Sequence, residues 1–510
     1  MAGIVKKETR DAAIDMTSDE FRALGHKLVD RISDFMATMP AGKVTPGETP
    51  AQVRAALGST KRLPEQGSEP GGLLEEASQF LFDHSLFIGH PRFMGFITSS
   101  PAPIGALADL LAASVNPNLG GWVLSPAATE IEAQTVRWIA ELLGYPTDCG
   151  GLLVSGGNMA NFTGFLAARR AKATWDVRAD GARSPDGRKL LVYTSAETHT
   201  WVQKAADLFG LGTGAIRWIA TDDRQRMDVG ALRRAIDEDL KKGDLPFLVV
   251  GTAGSVSTGA VDPLPDLSAV CKEYGLWFHV DGAYGGFAAA LPEELGCPPD
   301  LKGLSLADSV AIDPHKWLYA PLEAGCVLVR DREILHDTFS FHPPYYYMQE
   351  HEEEPELNYH EYGPQNSRGF RALKVWLALR QVGREGYVRL MADDIALTRE
   401  MFELVSQEAE LEAVTGDLSI ATFRYVPSDL ERGTLETEAY LNKLNAALVE
   451  TIHSSGELFI TNAIIDGKFL LRACIVNFRT SIEDVRAVPS IVLRLGREVD
   501  QQLRGRVAAS

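Results

Sequence analysis

Apolar residues come in three different rhythms along the chain. Near the start, Phe21, Leu24, Leu28, Ile32 and Phe35 recur at helical spacing behind Thr17-Ser-Asp-Glu20, a capping-box sequence. This predicts an amphipathic helix that ends before Pro40. Its apolar face must be covered by the rest of the chain or by a second copy. Residues 41–72 are rich in Gly and Pro, with a short helix expected at Ala51–Leu57. From His90 the texture changes to small residues and turn formers, and Ile97 to Ser125 shows little regular periodicity. Ala127–Leu143 reads as a helix with Ile131, Val136, Ile139 and Leu142 on its inner side.

The second rhythm fills residues 150–330. Short apolar runs at Leu152–Val154, Leu190–Thr194, Ile216–Ala220, Phe247–Thr252, Trp277–Val280, Ser309–Ile312 and Cys326–Val329 alternate with helical patterns such as Asn158–Lys172, Val229–Lys242 and Leu264–Tyr274. Continuous apolar strands between helices predict an α/β fold with a mostly parallel seven-stranded sheet, covered on both faces. Ligands of such sheets bind beyond the carboxyl ends of the strands. The third rhythm is mixed. After an aromatic and then acidic loop come helices at Phe370–Val382 and Met391–Glu410, a strand at Ser419–Tyr425, a helix at Thr437–Ser454, strands at Leu458–Ala463 and Leu470–Ile475, and a helix at Ile482–Gln502. The expected organisation is an N-terminal helical arm and linker (1–89), a large domain (90–385) and a small α+β C-terminal domain (386–510).

Charge and cysteine usage narrow the function classes. A net charge of −19 argues against nucleic acid and against anionic membranes as partners. Cys149, Cys271, Cys297, Cys326 and Cys474 are widely spaced and form no CxxC, the usage of reduced thiols with neither a zinc site nor a disulfide framework. With no apolar leader in the first residues and no run of about 18 apolar residues, a cytoplasmic protein is expected.

The polar residues that follow the strands carry the chemistry. Ser309 to Ile312 stops at Asp313-Pro314, and then come His315, Lys316 and Trp317. A lysine held there is either a strand-end residue with its head in solvent or an amine that condenses with a carbonyl. Ser155-Gly-Gly-Asn158 joins a strand to a helix, as an ordinary turn or as an anion cradle. His199, the run Thr252-Ala-Gly-Ser-Val-Ser-Thr-Gly259, and Asp281 in Phe278-His-Val-Asp-Gly-Ala-Tyr-Gly-Gly286 also follow strands. Together these supply what pyridoxal 5'-phosphate needs: a lysine for its aldehyde, N–H and hydroxyl donors for its phosphate, and a carboxylate for its ring nitrogen.

At this point the chain resembles the pyridoxal-phosphate-dependent group II decarboxylases, most closely their aromatic-L-amino-acid decarboxylase branch. The matching text is HPRF (90–93), SPAATEIE (125–132), SGGNMANFTGFLAARR (155–170), HVDGAYGG (279–286), DPHKW (313–317) and GFRALKVW (369–376). The resemblance implies a fold type I enzyme in which Lys316 holds the cofactor's aldehyde, Asp281 its ring nitrogen, and Ala283 and His199 its two ring faces, with His199 also positioning the substrate carboxylate. Gly157 and Asn158, helped by Ser255 or Ser257, Asp313 and His315, would bind phosphate. The family usually has Ser or Thr where this chain has Gly157-Asn158. Tyr345 falls where the family keeps the tyrosine that returns a proton to Cα, with Tyr346 and Tyr347 one and two steps away. Members with phenylalanine there turn to aldehyde production.

The resemblance further implies a homodimer with shared sites. The substrate pocket would be formed by Phe96–Ser99 and by Asn118–Trp122 of the partner, so Phe96, Ser99, Asn118, Gly120 and Trp122 are its candidate residues. Asn118 and Gly120 in place of bulk leave room for an indole, which puts tryptophan first, then tyrosine, dihydroxyphenylalanine and phenylalanine. Decarboxylation of glutamate or diaminobutyrate is an alternative needing a charged anchor, for which Arg92 is the nearest candidate. A silent cofactor-binding module is a further alternative. The absence of GxGxxG disfavours a dinucleotide oxidoreductase, and no metal is expected.

Overall fold

The structure, a computed structural model, describes residues 12–341 and 356–508. All seven apolar runs of residues 150–330 form strands of one sheet: β1 (Gly150–Val154), β2 (Leu190–Ser195), β3 (Ile216–Ile219), β4 (Leu245–Thr252), β5 (Trp277–Asp281), β6 (Ser309–Ile312) and β7 (Gly325–Val329). Their spatial order is β1-β7-β6-β5-β4-β2-β3. The pairs from β6 across to β3 are parallel, and β7 runs antiparallel to both β6 and β1. The carboxyl ends of β1, β2, β4, β5 and β6 therefore share one edge.

The strands read as unbroken apolar runs because each face has its own core. Successive side chains point to opposite faces. Leu191, Tyr193, Phe278, Val310 and Ile312 enter one core, while Leu190, Val192, Trp277 and Ala311 enter the other. A second, antiparallel sheet has the order β10-β11-β9-β8, with β8 at Leu411–Asp417, β9 at Ile420–Tyr425, β10 at Thr461–Ile465 and β11 at Lys468–Cys474. It shares a core with the helices Leu435–Ser455 and Ile482–Ala508.

Several elements differ from the sequence reading, among them the strand expected at Leu458–Ala463, which lies at Thr461–Ile465, and a helix at Arg332–Phe339 that the sequence pattern does not announce. A helix at Pro103–Val115 occupies a stretch that reads as irregular. Its buried residues are Gly105 and Ala108, while Leu107, Leu110, Leu111 and Val115 are exposed. This reverses the usual amphipathic signal. A β-carbon on Gly105 would lie 2.3 Å from Pro321, so close packing requires the small inner face. The helix Pro70–His84 also went unread in the Gly- and Pro-rich region. Strand β8 was missed because only Leu411 of it is buried. The helices expected separately at 370–382 and 391–410 form one run, Ala372–Ser406, broken at Gly383, whose φ of 68° lies in the left-handed region.

The N-terminal helix is Ser18–Thr38, with the expected capping box: the Glu20 N–H donates to Thr17 Oγ1 at 3.2 Å and the Thr17 N–H to Glu20 Oε2 at 2.8 Å. None of its residues is buried, although Phe35 stacks on Phe82 at 4.3 Å. Among the described residues no helix is long and apolar enough to cross a membrane.

Candidate active site

The strand ends open into a cavity of about 550 Å³. Each strand delivers its polar residues directly: Gly157 and Asn158 after β1, His199 after β2, Thr252 and Gly254 at β4, Asp281 and Ala283 at β5, and Asp313, His315 and Lys316 after β6. Ile97, Val256 and Leu322 add apolar walls.

Lys316 Nζ pairs with Asp313 Oδ2 at 2.9 Å, and His315 Nε2 lies 3.6 Å from the same oxygen. Asp313 is 2% exposed, and its Oδ1 has no hydrogen-bond partner among the described residues. The site thus holds a buried acceptor that a ligand can satisfy. Beside it, Gly156 at φ +116° turns the chain from β1 into the helix Gly157–Lys172. A β-carbon on Gly157 would lie 2.8 Å from Asp313 Oδ2 and 3.1 Å from the Ala283 side chain. Glycine keeps this cradle open at a helix N-terminus whose first N–H groups lack intrahelical acceptors.

Asp281 is held from two sides. The Trp201 indole donates to Oδ2 at 2.7 Å and the Ala283 N–H donates to Oδ1 at 3.2 Å. Burial lowers the pKa of His199, against the pull of Asp281, so its ring is neutral at neutral pH. Beneath Asp281, burial pulls His279 down to about 4. Its Nε2 lies 2.7 Å from Asn161 Oδ1 and its Nδ1 2.8 Å from Ser309 Oγ, which accepts from Trp277 Nε1 at 2.8 Å. A neutral ring satisfies this chain if Ser309 donates to Nδ1 and Nε2–H donates to Asn161. Trp201, Asn161 and His279 are supports that the strand-end reading missed. Each stands inside or beside a motif quoted above, but its partner lies far away in sequence.

Four other candidates, Phe96, Ser99, Ser255 and Ser257, do not line the cavity. The Ser255 hydroxyl is 2.8 Å from Thr258 Oγ1, and Val256 faces the cavity in place of Ser255 and Ser257. Phe96, at φ 51°, sets its ring 5.9 Å from Phe459, and Ser99 Oγ donates to the His315 carbonyl at 2.8 Å. Neither lines the cavity, whereas Ile97 does.

Asn118, Gly120 and Trp122 also lie away from the cavity within one chain. Asn118 Oδ1 accepts from the N–H groups of Gly120 and Arg368, each at 3.0 Å, and the Trp122 N–H donates to Asn358 Oδ1 at 3.0 Å. A β-carbon on Gly120 would lie 2.1 Å from the Asn366 carbonyl oxygen. Backbone packing therefore accounts for this glycine without appeal to pocket size. The whole segment rests on a buried ion pair between Glu132 and Arg368, which also binds both backbone groups of Leu153. Arg92 is paired with Asp484 at 3.1 Å. Tyr345, Tyr346 and Tyr347 lie outside the described residues.

The arrangement can hold an anion at the helix N-terminus, a cationic ring nitrogen at Asp281 and an aldehyde at Lys316, the three demands of pyridoxal phosphate. The family described as "Pyridoxal-dependent decarboxylase conserved domain" matches residues 50–426. An aromatic-L-amino-acid decarboxylase of Bacillus atrophaeus is 34% identical over 487 residues, 95% of this chain and 97% of that protein. A phenylacetaldehyde synthase of Petunia hybrida is 29% identical over 463 residues, 89% of this chain and 90% of that protein. The crystal structure of Oryza sativa TDC with PLP and tryptamine superposes with a TM-score of 0.87 at 26% identity, covering 96% of this chain and 99% of that one.

Proposed function

This chain belongs to the pyridoxal-dependent decarboxylase family and is a pyridoxal-phosphate-dependent amino-acid decarboxylase; on that premise we propose that its substrate is an aromatic L-amino acid, tryptophan first, then tyrosine, dihydroxyphenylalanine or phenylalanine, released as the amine and CO2. The observation that carries the choice is the cavity's lining. Lys316 is its only lysine or arginine among the described residues, and Ile97, Val256 and Leu322 are apolar. Glu323, which also lines the cavity, is paired with Arg371 at 2.9 Å. Among the described residues of the lining no second cation anchors an anionic side chain, whereas a flat apolar side chain is accommodated.

When bound, pyridoxal phosphate supplies a cationic ring that accepts the electron pair left behind as CO2 departs. The chain's own residues do the rest. The N–H groups at Gly157 and Asn158, with His315 nearby, bind the phosphate. Asp281, fixed by Trp201 and the Ala283 N–H, keeps the proton on the ring nitrogen. Ala283 and the neutral His199 confine the ring between them, and His199 orients the substrate carboxylate. Lys316 provides the amine that carries the cofactor, with Asp313 steadying it. Tyr345 returns the proton to Cα. Its hydroxyl decides between amine and aldehyde as product.

The same reading includes a homodimer and a cytoplasmic location. The first is supported by the exposed leucines of Pro103–Val115, the second by five free cysteines. The purified protein should be yellow, and borohydride should fix the cofactor to Lys316. Amine release is then compared on tryptophan, tyrosine, phenylalanine, dihydroxyphenylalanine and glutamate. Faster turnover of glutamate than of every aromatic substrate would overturn the substrate assignment. Unchanged amine output from Tyr345→Phe would overturn the role of Tyr345.

A further inference from the structure

One buried carboxylate has no part in the chemistry above. Asp394 stands on the second half of the long helix, 2% exposed, behind the turn that bears Lys316. A single oxygen, Oδ2, accepts from Trp317 Nε1 at 2.9 Å and from Tyr319 Oη at 2.6 Å. The segment just past β11 packs against the same turn, with the Phe478 ring edge-on to Tyr319 at 5.5 Å. Among the described residues no lysine, arginine or histidine pairs with it. A buried carboxylate without a counter-ion costs more than an apolar side chain of the same volume. Something in its hydrogen bonds must offset that cost.

Those bonds converge on the residues after Lys316. Trp317 is fully buried and stacks on Tyr284, a residue of the cavity wall, at 5.0 Å. Tyr319 has φ +52°, a left-handed backbone conformation that strains a residue with a β-carbon. Between them, the Leu318 carbonyl accepts from Tyr387 Oη at 3.1 Å. Each of the three residues following the lysine is thus tied to the long helix, and a strained one is held by Asp394 itself.

We propose that Asp394 is a positioning residue for Lys316: by binding the Trp317 indole and the Tyr319 phenol on one oxygen, it fixes the turn from which the lysine amine enters the cavity. This rests on Lys316 being the cofactor-bearing lysine. The titratable groups near enough to act on Asp394 or Tyr319 are Asp393, Tyr387 and Cys474. Burial raises Tyr387 and Cys474 above their ordinary values.

The test compares full-length holoenzyme with Asp394→Asn and Tyr319→Phe. The readouts are the pH titration of the bound cofactor's visible band, the borohydride-fixed site by mass spectrometry, and kcat and KM. Asp394→Asn should retain cofactor on Lys316, shift the band's titration by about half a pH unit or more, and lower kcat roughly tenfold with KM within about threefold. Tyr319→Phe should move the same quantities in the same direction by less. Unchanged titration and unchanged kcat in both variants would overturn the proposal. If Asp394→Asn does not fold, Tyr319→Phe alone decides by the same criterion. Cofactor fixed at another lysine in the wild type would instead overturn the reading of Lys316.

Discussion

In the large sheet, apolar residues laid down at strand spacing are buried within the chain, Leu153, Val192 and Val310 all fully. The helix Ser18–Thr38 carries an equally regular apolar stripe and buries none of its residues. Pro103–Val115 behaves like it, with Leu107, Leu110, Leu111 and Val115 each at least half exposed. Periodicity therefore reveals that a face exists but not what covers it. The strand-end site has its cover inside the chain, whereas the stripe of Ser18–Thr38 is only half-covered and the leucines of Pro103–Val115 lie uncovered among the described residues. Removing chemistry from the strand ends should leave assembly intact, and removing leucines from the uncovered face should do the opposite.

The largest expected effect is at the site. Lys316→Ala should lower decarboxylation by at least roughly a thousandfold and abolish borohydride fixation, with an unchanged elution volume. A changed assembly state would break the separation between the regions. Next, Leu110→Glu with Leu111→Glu should split the proposed dimer. Two leucines buried at about 1.5–3 kcal/mol each raise the dissociation constant by at least two orders of magnitude, as sedimentation would measure. Unaltered sedimentation would mean that this face is not covered by a second copy. Gly120→Ala is smaller: its methyl group meets the Asn366 carbonyl oxygen, so unfolding stability should fall by about 1–3 kcal/mol in denaturant titration.

The last effect is a slope and not a single value. Burial pushes the Asp394 carboxyl up to about 7, above the ordinary aspartate value. Between those values the native state holds a proton that the unfolded chain has lost, so this group's contribution to stability declines as pH rises. The decline approaches about 1.4 kcal/mol per pH unit. Asp394→Asn should remove that part of the slope between about pH 4 and pH 7. An unchanged slope would show that the carboxyl does not titrate in that range.

What was legible in the sequence follows the same division. Lys316, Asp281, His199 and the Ser155–Asn158 turn were visible because each follows an apolar run within a few residues, and a parallel sheet gathers those positions on one edge. Trp201 holding Asp281 spans 80 residues, Asp394 holding Trp317 spans 77, and Glu132 pairing with Arg368 spans 236. No local pattern encodes such contacts. The helix Pro103–Val115 was hidden for a different reason, since its small residues face inward and its leucines outward. Gly120 read as an opened pocket because a missing side chain looks the same in sequence whether it makes room for substrate or for backbone.

Strand β7 lies beside β6 and runs back along it, with Ile312 opposite Cys326. The segment carrying Lys316 is thus a closed ring, its two ends joined by neighbouring ladder hydrogen bonds. Lys316 stands four positions past Ile312, where β6 ends, and Cys326 of β7 is paired with that same residue. A residue added between Ile312 and Lys316 therefore moves the lysine along the chain from the sheet edge, whereas one added at the exposed Leu322 and Glu323 does not.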